Sequence, residues 1–249
     1  MSDVLLFDLS QHLEKLFSQQ RYDAGFALGR HILRYYPRHL ATYKQMGMAA
    51  LAKSMWEDSI DLLQRALSID PEDIQMWEAL RSAAMATELQ AEAALAADYI
   101  KDLHATSEET TPVAAGHDAA RQQDWVRAYE AYRAGYAQHP QRMDAALGLV
   151  TALFHLEAYD AALLMTNHIL EELPYCLKAH WQSIRCAHLL QDQTVDVQRH
   201  LRIARGIDPD GRYLLRWFDD VQEEKLAHPR ALIPAWDESE RWAYHAATP

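Results

Sequence analysis

Histidine and cysteine are the residues of this chain whose chemistry would first suggest catalysis or metal binding. The sequence has 13 histidines, and they are dispersed along its length. His180, His188 and His200 come nearest to a cluster, but their spacings on different predicted helices match no metal-ligand pattern. The sequence contains no HExxH motif, no phosphate-binding glycine loop and no nucleophile elbow. We therefore predict that the protein is not an enzyme and that it needs no metal and no cofactor.

The two cysteines, Cys176 and Cys186, lie in a predicted turn and on a predicted helix. Without a CxxC pair they indicate neither a zinc site nor a disulfide framework, so we predict ordinary thiols in a reducing compartment. A net charge of −12 with scattered lysines and arginines argues against nucleic-acid binding. No apolar run approaches membrane-spanning length, and the first residues lack the features of a signal peptide. We therefore predict a cytoplasmic protein that binds neither nucleic acid nor a membrane.

Regularly spaced prolines indicate how these residues are arranged in the chain. Prolines stand at positions 37, 71, 140, 174 and 209, at intervals of 34, 69, 34 and 35 residues, so the long interval equals two periods. Residues 40–71 show one whole unit, with one face of each predicted helix formed by alternating large and small side chains: Tyr43, Met46, Gly47 and Ala50, then Ser59, Leu63 and Ala66. A unit that cannot bury its own apolar face must stack on its neighbours, so this period predicts a solenoid of about six units.

This unit resembles the tetratricopeptide repeat, in which two helices interlock through large and small side chains and a proline closes each 34-residue unit. The resemblance covers roughly residues 6–209. It implies an all-α fold, a right-handed superhelical solenoid of about six tetratricopeptide-like helix pairs plus a C-terminal capping helix. The predicted organisation is repeats one to three in residues 1–105, a loosened joint at 106–111, repeats four to six in 112–210, the capping helix in 211–228 and an aromatic tail in 229–249.

Three local predictions follow from the same pattern. The first helix is expected to span residues 2–18, because its apolar residues have helical spacing. In repeat six we predict one extra residue in the turn before the first helix, which gives Trp181 the position that Tyr43 and Trp77 hold in repeats two and three. The tail carries Trp236, Trp242 and Tyr244; we expect these rings to pack back on the last repeats, and the alternatives are a contact in the groove or a dimer contact.

In the tetratricopeptide family the first helices of successive repeats line a concave groove that holds a peptide or helix of a partner. When the repeats of this sequence are aligned with the family pattern, the resemblance implies that thirteen residues face the groove. They are Lys44, Met48, Glu78, Ser82, Met85, His117, Arg121, Leu147, Thr151, Phe154, His155, Gln182 and Cys186. Methionine adapts its shape to different apolar anchors, so Met48 and Met85 would suit such a role. Glu78 would repel a carboxylate, which disfavours the clamp that holds chaperone tails, whereas His117 and Arg121 leave room for a weaker anion contact.

Two hypotheses about function remain open. In the first, the protein is a non-catalytic scaffold or adaptor whose concave groove binds a peptide or helix of another protein, whose identity the sequence does not give. In the second, it is a self-associating structural module whose groove is occupied by its own C-terminal tail or by a second copy, as in a homodimer.

Overall fold

A computed structural model describes residues 3–104, 111–218 and 231–236, without the side chains of Leu215 and Arg216. These residues form thirteen helices and two short strands. The helices are α1 (Leu6–Ser18), α2 (Tyr22–Tyr35), α3 (Leu40–Ala52), α4 (Trp56–Leu67), α5 (Ile74–Ala86), α6 (Gln90–His104), α7 (Pro112–Arg121), α8 (Trp125–Gln138), α9 (Met143–His155), α10 (Tyr159–Glu172), α11 (Leu177–Leu190), α12 (Val197–Ile207) and α13 (Arg212–Trp217). The strands are β1 (Asp3–Leu5) and β2 (Leu232–Pro234).

Helices α1 to α12 follow one another as six packed pairs, which confirms the predicted all-α array. The chain divides into two compact units, unit 1 (Met1–Arg65 and Arg205–Pro249) and unit 2 (Ala66–Ala204). Unit 2 contains the helices from α5 to α11 and most of α12. The two units are described separately below.

The core of unit 2 is built around α9. Every residue of the run 142–150 is buried, including Leu147 and Val150, which have no exposed surface. A helix that is apolar all round is stable in water only when other helices cover every side of it. Helices α8 and α10 both pack on α9, and α7 and α11 also contact it. The first helix of repeat five is therefore the centre of unit 2.

Unit 1 contains a feature that the sequence analysis did not anticipate. The predicted helix over residues 2–18 is wrong in its first turn, because β1 pairs antiparallel with β2 and Val4 lies opposite Ile233. The amide of Leu6 then donates to the carbonyl of Ala231 at 2.8 Å, and the helix begins there. Ile233 is buried with the apolar face of α1. A segment from the far end of the chain thus completes the core beside the first repeat.

The same segment places the first tail aromatic. Trp236 packs against the α1 cluster, with its ring 6.1 Å from that of His12, and His31 Nε2 donates to the carbonyl of Pro234 at 2.7 Å. Trp236 therefore lies on the first repeat and not on the last repeats, where we had expected it. Trp242 and Tyr244 lie outside the described residues.

The predicted joint at 106–111 also lies outside the described residues, apart from Thr111. Its hydroxyl donates to Asp102 at the end of α6 at 2.6 Å, and it accepts from the amide of Ala114, so that Thr111 caps α7. Pro112 follows as the first helical residue, where its missing amide donor is not needed. Of the predicted capping helix, α13 is described, and residues 219–230 lie outside the described residues.

The turns between the two helices of each pair share a backbone feature. In each turn one residue has a left-handed conformation, with φ between 53° and 61°, and none of these residues is glycine. A side chain in this region of φ/ψ is strained by contact between its Cβ and the backbone. The residues concerned are Gln20, Ser54, Glu88, Gln123, Glu157 and Gln191.

Candidate partner-binding surface

At the beginning of three first helices, a side chain forms the same hydrogen bond to the carbonyl of the preceding proline. The Tyr43 hydroxyl donates to the carbonyl of Pro37 at 2.8 Å, and the Trp77 indole donates to the carbonyl of Pro71 at 2.8 Å. In repeat six the donor is Nε2 of His180, which lies 3.0 Å from the carbonyl oxygen of Pro174. In all three repeats the donor stands six residues after the proline.

This bond corrects the register of repeat six. Trp181 does not take the position of Tyr43 and Trp77, because His180 holds it and the turn has no extra residue. Every assignment in this helix then moves by one residue. Gln182 and Cys186, which we placed in the groove, are buried, and Trp181 and Arg185 occupy the corresponding positions. The constant proline spacing was the signal in the sequence that could have given this register.

Neighbouring repeats interlock through glycines. The Tyr132 ring of α8 lies between Gly116 on α7 and Gly148 on α9, where added Cβ atoms would stand 2.6 Å and 2.4 Å from its nearest carbon atoms. In unit 1 a Cβ on Gly47 would lie 2.8 Å from Leu63. Large side chains of second helices therefore fit against glycines of first helices, as in the resembled family. The helix pairs are tetratricopeptide-like.

No family model and no curated protein matches the sequence. Among solved structures, the tetratricopeptide protein YrrB, which has an unusual peptide-binding site, is 13% identical over 76% of this chain and 96% of its own, with a TM-score of 0.39. A MamA mutant structure is 14% identical over 81% of this chain and 96% of its own (TM-score 0.36). A tetratricopeptide repeat protein from Parabacteroides merdae is 12% identical over 79% and 76% (TM-score 0.37). TM-scores this low do not relate the whole chain to any of these proteins, so what it binds has to be argued from its own residues.

The residues predicted to line the groove differ in exposure. Those exposed to solvent are Met48, Glu78, Ser82, Met85, Arg121 and His155. Those half-buried are Lys44, His117, Thr151 and Phe154, and those buried are Leu147, Gln182 and Cys186. On α9 the exposure of the side chains increases along the helix axis, because Leu147 near its beginning is buried whereas Phe154 and His155 at its end reach solvent. The accessible surface on α9 is therefore at its C-terminal end.

The beginnings of α7 and α9 meet in a buried polar cluster. Arg142 forms ion pairs with Asp102 at 2.8 Å and with Asp144, and its guanidinium lies 4.1 Å from the centre of the Tyr99 ring. Nε2 of His117 lies 4.0 Å from Asp144. Burial acts to raise the pKa of the Asp144 carboxyl, but His117 and Arg142 more than offset this, and the pKa lies below its ordinary value. The cluster ties three repeats together and is not open to a partner.

A different kind of cluster forms where the C-terminal end of α9 meets the beginnings of α8 and α10 and the middle of α11. The rings of Trp125 and His155 are stacked, with centres 3.9 Å apart and an angle of 8° between their planes. The Arg185 guanidinium lies 4.1 Å from the centre of the Phe154 ring, and Tyr159 meets the same ring edge-on at 5.3 Å. We call these five residues the aromatic rim. The rim thus combines apolar rings with a guanidinium, and His155 is exposed.

Unit 2 also exposes large apolar side chains in or beside the turns between paired helices. They are Met85, Leu89, Val126, Leu156 and Leu189, with exposed fractions of 62%, 40%, 58%, 37% and 48%.

Other candidate sites are limited to structural contacts. The ring nitrogens Nδ1 of His180 and His200 are 2.9 Å apart; since His180 Nε2–H donates to a carbonyl, the neutral His180 ring accepts here from His200. Among residues 3–104, 111–218 and 231–236, no three or more His, Cys, Asp and Glu side chains are placed to hold a metal ion. Burial raises the pKa of Cys176 to about 12 and that of Cys186 to about 11. In the part of the chain that the structure describes, no helix is both long and apolar enough to cross a membrane.

Proposed function

We propose that the protein is a non-catalytic interaction scaffold that binds a peptide or helix of a partner protein at the aromatic rim of unit 2. The observation that supports this most directly is the accessible pairing of Arg185 with the Phe154 ring at 4.1 Å. An aromatic ring beside a guanidinium can bind an apolar side chain and an anionic group at the same time.

Charge supports an acidic partner segment. The whole chain carries a net charge of −12, yet the rim presents Arg185 and His155, and Arg121 ends the neighbouring first helix. The Arg121 guanidinium is half exposed and lies 3.5 Å from Asp118. The guanidinium groups of Arg185 and Arg121 can each attract an acidic residue of a partner segment.

The exposed apolar side chains in or beside the turns of unit 2 support the second part of the proposal. Met85 and Leu189 are exposed at the same ends of their helices, where they would accept apolar anchors of a partner. We propose a segment that places at least one apolar side chain against the rim with a carboxylate next to it. Residues such as Leu147 would be reached only if unit 2 opened.

Affinity capture from the source cell tests this proposal. We expect the wild-type chain to enrich a set of proteins that the double variant Phe154→Ala, Arg185→Ala loses, because this variant removes both the ring and the guanidinium. The matched control is Leu164→Ala, which removes an exposed apolar side chain (72% exposed) on the second helix α10. An equal set of proteins captured by wild type and the double variant would contradict the proposal.

A further inference from the structure

The turn before α5 contacts the first turn of α11 within unit 2, although the contacting residues Glu72 and Lys178 stand 106 positions apart in the sequence. The amide of Leu177 donates to the carbonyl of Ile69 at 3.0 Å. The Lys178 ammonium lies 2.6 Å from the carboxylate of Glu72, and both side chains are mostly buried. The turn that joins repeats two and three thus contacts the beginning of repeat six directly.

The contact lies beside the buried beginnings of the first helices. Burial raises the pKa of Tyr132, and the negative charges of Glu72 and Asp144 add to this. The Tyr132 ring fits against α7 and α9, and α11, which carries Lys178, also contacts α9. The Tyr132 hydroxyl in turn bonds to Nδ1 of His117 on α7 at 2.9 Å. Residues of α5, α7, α9 and α11 or of their preceding turns therefore converge at one end of unit 2, the end at which Leu147 has no exposed surface.

Two polar side chains in this region are buried at a cost in free energy. Trp181, at the position equivalent to Leu147, is 5% exposed, and its indole nitrogen donates to no acceptor among the residues that the structure describes. A buried donor without an acceptor costs about 1–3 kcal/mol. Asp70 is buried next to Glu72 and Asp73, and burial, followed by these two charges, raises the pKa of its carboxyl to about 7. The closed arrangement is therefore opposed by two identifiable costs.

We propose that the contact of the Ile69–Glu72 turn with Leu177 and Lys178 is a latch, which holds the inner face of α9 closed and whose release exposes that face. The predicted groove positions Leu147 and Thr151 lie on α9, and Trp181 lies on the helix that the latch holds against it. Opening would allow the Trp181 indole to reach an acceptor and would bring Asp70 into contact with water. Helix α9 is covered by α7, α8, α10 and α11, and of these the latch holds α11 in place.

Hydrogen exchange of the full chain, read by mass spectrometry, tests the latch without any partner. In the variants Glu72→Gln and Lys178→Met we expect amides of residues 143–150 and 177–181 to exchange about tenfold faster, because a charge-assisted bond that holds a local opening is lost. Amides of residues 90–100 on α6 should change less than about twofold, since α6 contributes no residue to the latch. The charge-swapped variant Glu72→Lys, Lys178→Glu should bring exchange of both segments back towards the wild-type rate.

The matched control is Asp61→Asn, which breaks an exposed ion pair to Arg65 on α4 and should leave exchange in unit 2 unchanged. Two results would overturn the latch. One is wild-type exchange of residues 143–150 and 177–181 in both single variants. The other is an equal rise over the whole of unit 2, which would show that the pair supports global stability and does not control a local opening.

Discussion

Replacement of Gly148 by alanine is the perturbation whose effect the structure determines most closely. The new Cβ would stand 2.4 Å from two ring carbon atoms of Tyr132, whereas carbon atoms in good contact are about 3.5–4.0 Å apart. Tyr132 has little room to withdraw. Gly116 lies against the ring as well, the hydroxyl is bonded to His117, and the side chain is 3% exposed. The ring or the helix α9 must therefore move by more than 1 Å.

The expected net effect of Gly148→Ala is a loss of about 2 kcal/mol in the free energy of unfolding. Overpacking of a close-packed core costs about 1–3 kcal/mol, and a displaced Tyr132 hydroxyl loses about 1 kcal/mol more. Alanine has a helix propensity about 1 kcal/mol better than glycine, which offsets part of this loss. For a chain of this size, 2 kcal/mol corresponds to a fall in Tm of roughly 4–8 °C.

Thermal and urea denaturation followed by circular dichroism measure this effect. The matched control is Gly206→Ala in the last turn of α12, where an added Cβ has no atom within 4 Å. It should be neutral or stabilising by up to about 1 kcal/mol. In a Tyr132→Ala background, Gly148→Ala should no longer destabilise. A Gly148→Ala variant as stable as wild type would refute the interlock of repeats four and five.

Three further predictions concern other parts of the chain. The Asp70 carboxyl has a pKa of about 7 when folded and about 4 when unfolded, so its contribution to stability falls as pH rises from about 4 to about 7. Urea midpoints should therefore show that wild type loses up to about 4 kcal/mol relative to Asp70→Asn between pH 4 and pH 8; parallel pH curves would contradict this. Glu157→Gly removes the backbone strain of a left-handed residue (φ 60°) and should raise the free energy of unfolding by about 0.5–1 kcal/mol. A lower Tm of this variant in calorimetry would contradict this. Ile233→Ala should destabilise by about 2–4 kcal/mol because this side chain is 1% exposed, whereas Leu232→Ala (53% exposed) should change the urea midpoint little; equal effects would argue against the strand pairing.

The proline period and the alternation of large and small residues were sufficient to predict the helix pairs. Gly47 was assigned to the interlocking face of its helix from the sequence, and in the structure it lies against Leu63. These features are local, since each unit carries its own pattern within about 34 residues. The register of repeat six could also have been predicted from the sequence, because His180 stands six residues after Pro174, as Trp77 stands six residues after Pro71.

Long-range contacts of a few residues could not be predicted in this way. The apolar residues of Asp3–Leu5 fit the helical spacing of the residues that follow them, so the sequence does not distinguish this strand from α1. Its partner strand, Leu232–Pro234, is more than 200 positions away in the sequence. Glu72 in the turn before α5 and Lys178 in the first turn of α11 form no local pattern that would indicate their pairing. Helix periodicity also does not show that Leu147 is buried while His155 on the same helix is exposed, so the sequence alone could not show which groove positions are accessible.

Site-specific photo-cross-linking in the source cell tests the proposed binding surface most directly. A photoreactive phenylalanine analogue would replace either His155, in the aromatic rim, or Leu164, on the outer helix α10. The scaffold proposal predicts a defined adduct with another protein from position 155 on irradiation and none from position 164. Adducts from position 164 alone, or no adduct from position 155, would contradict it.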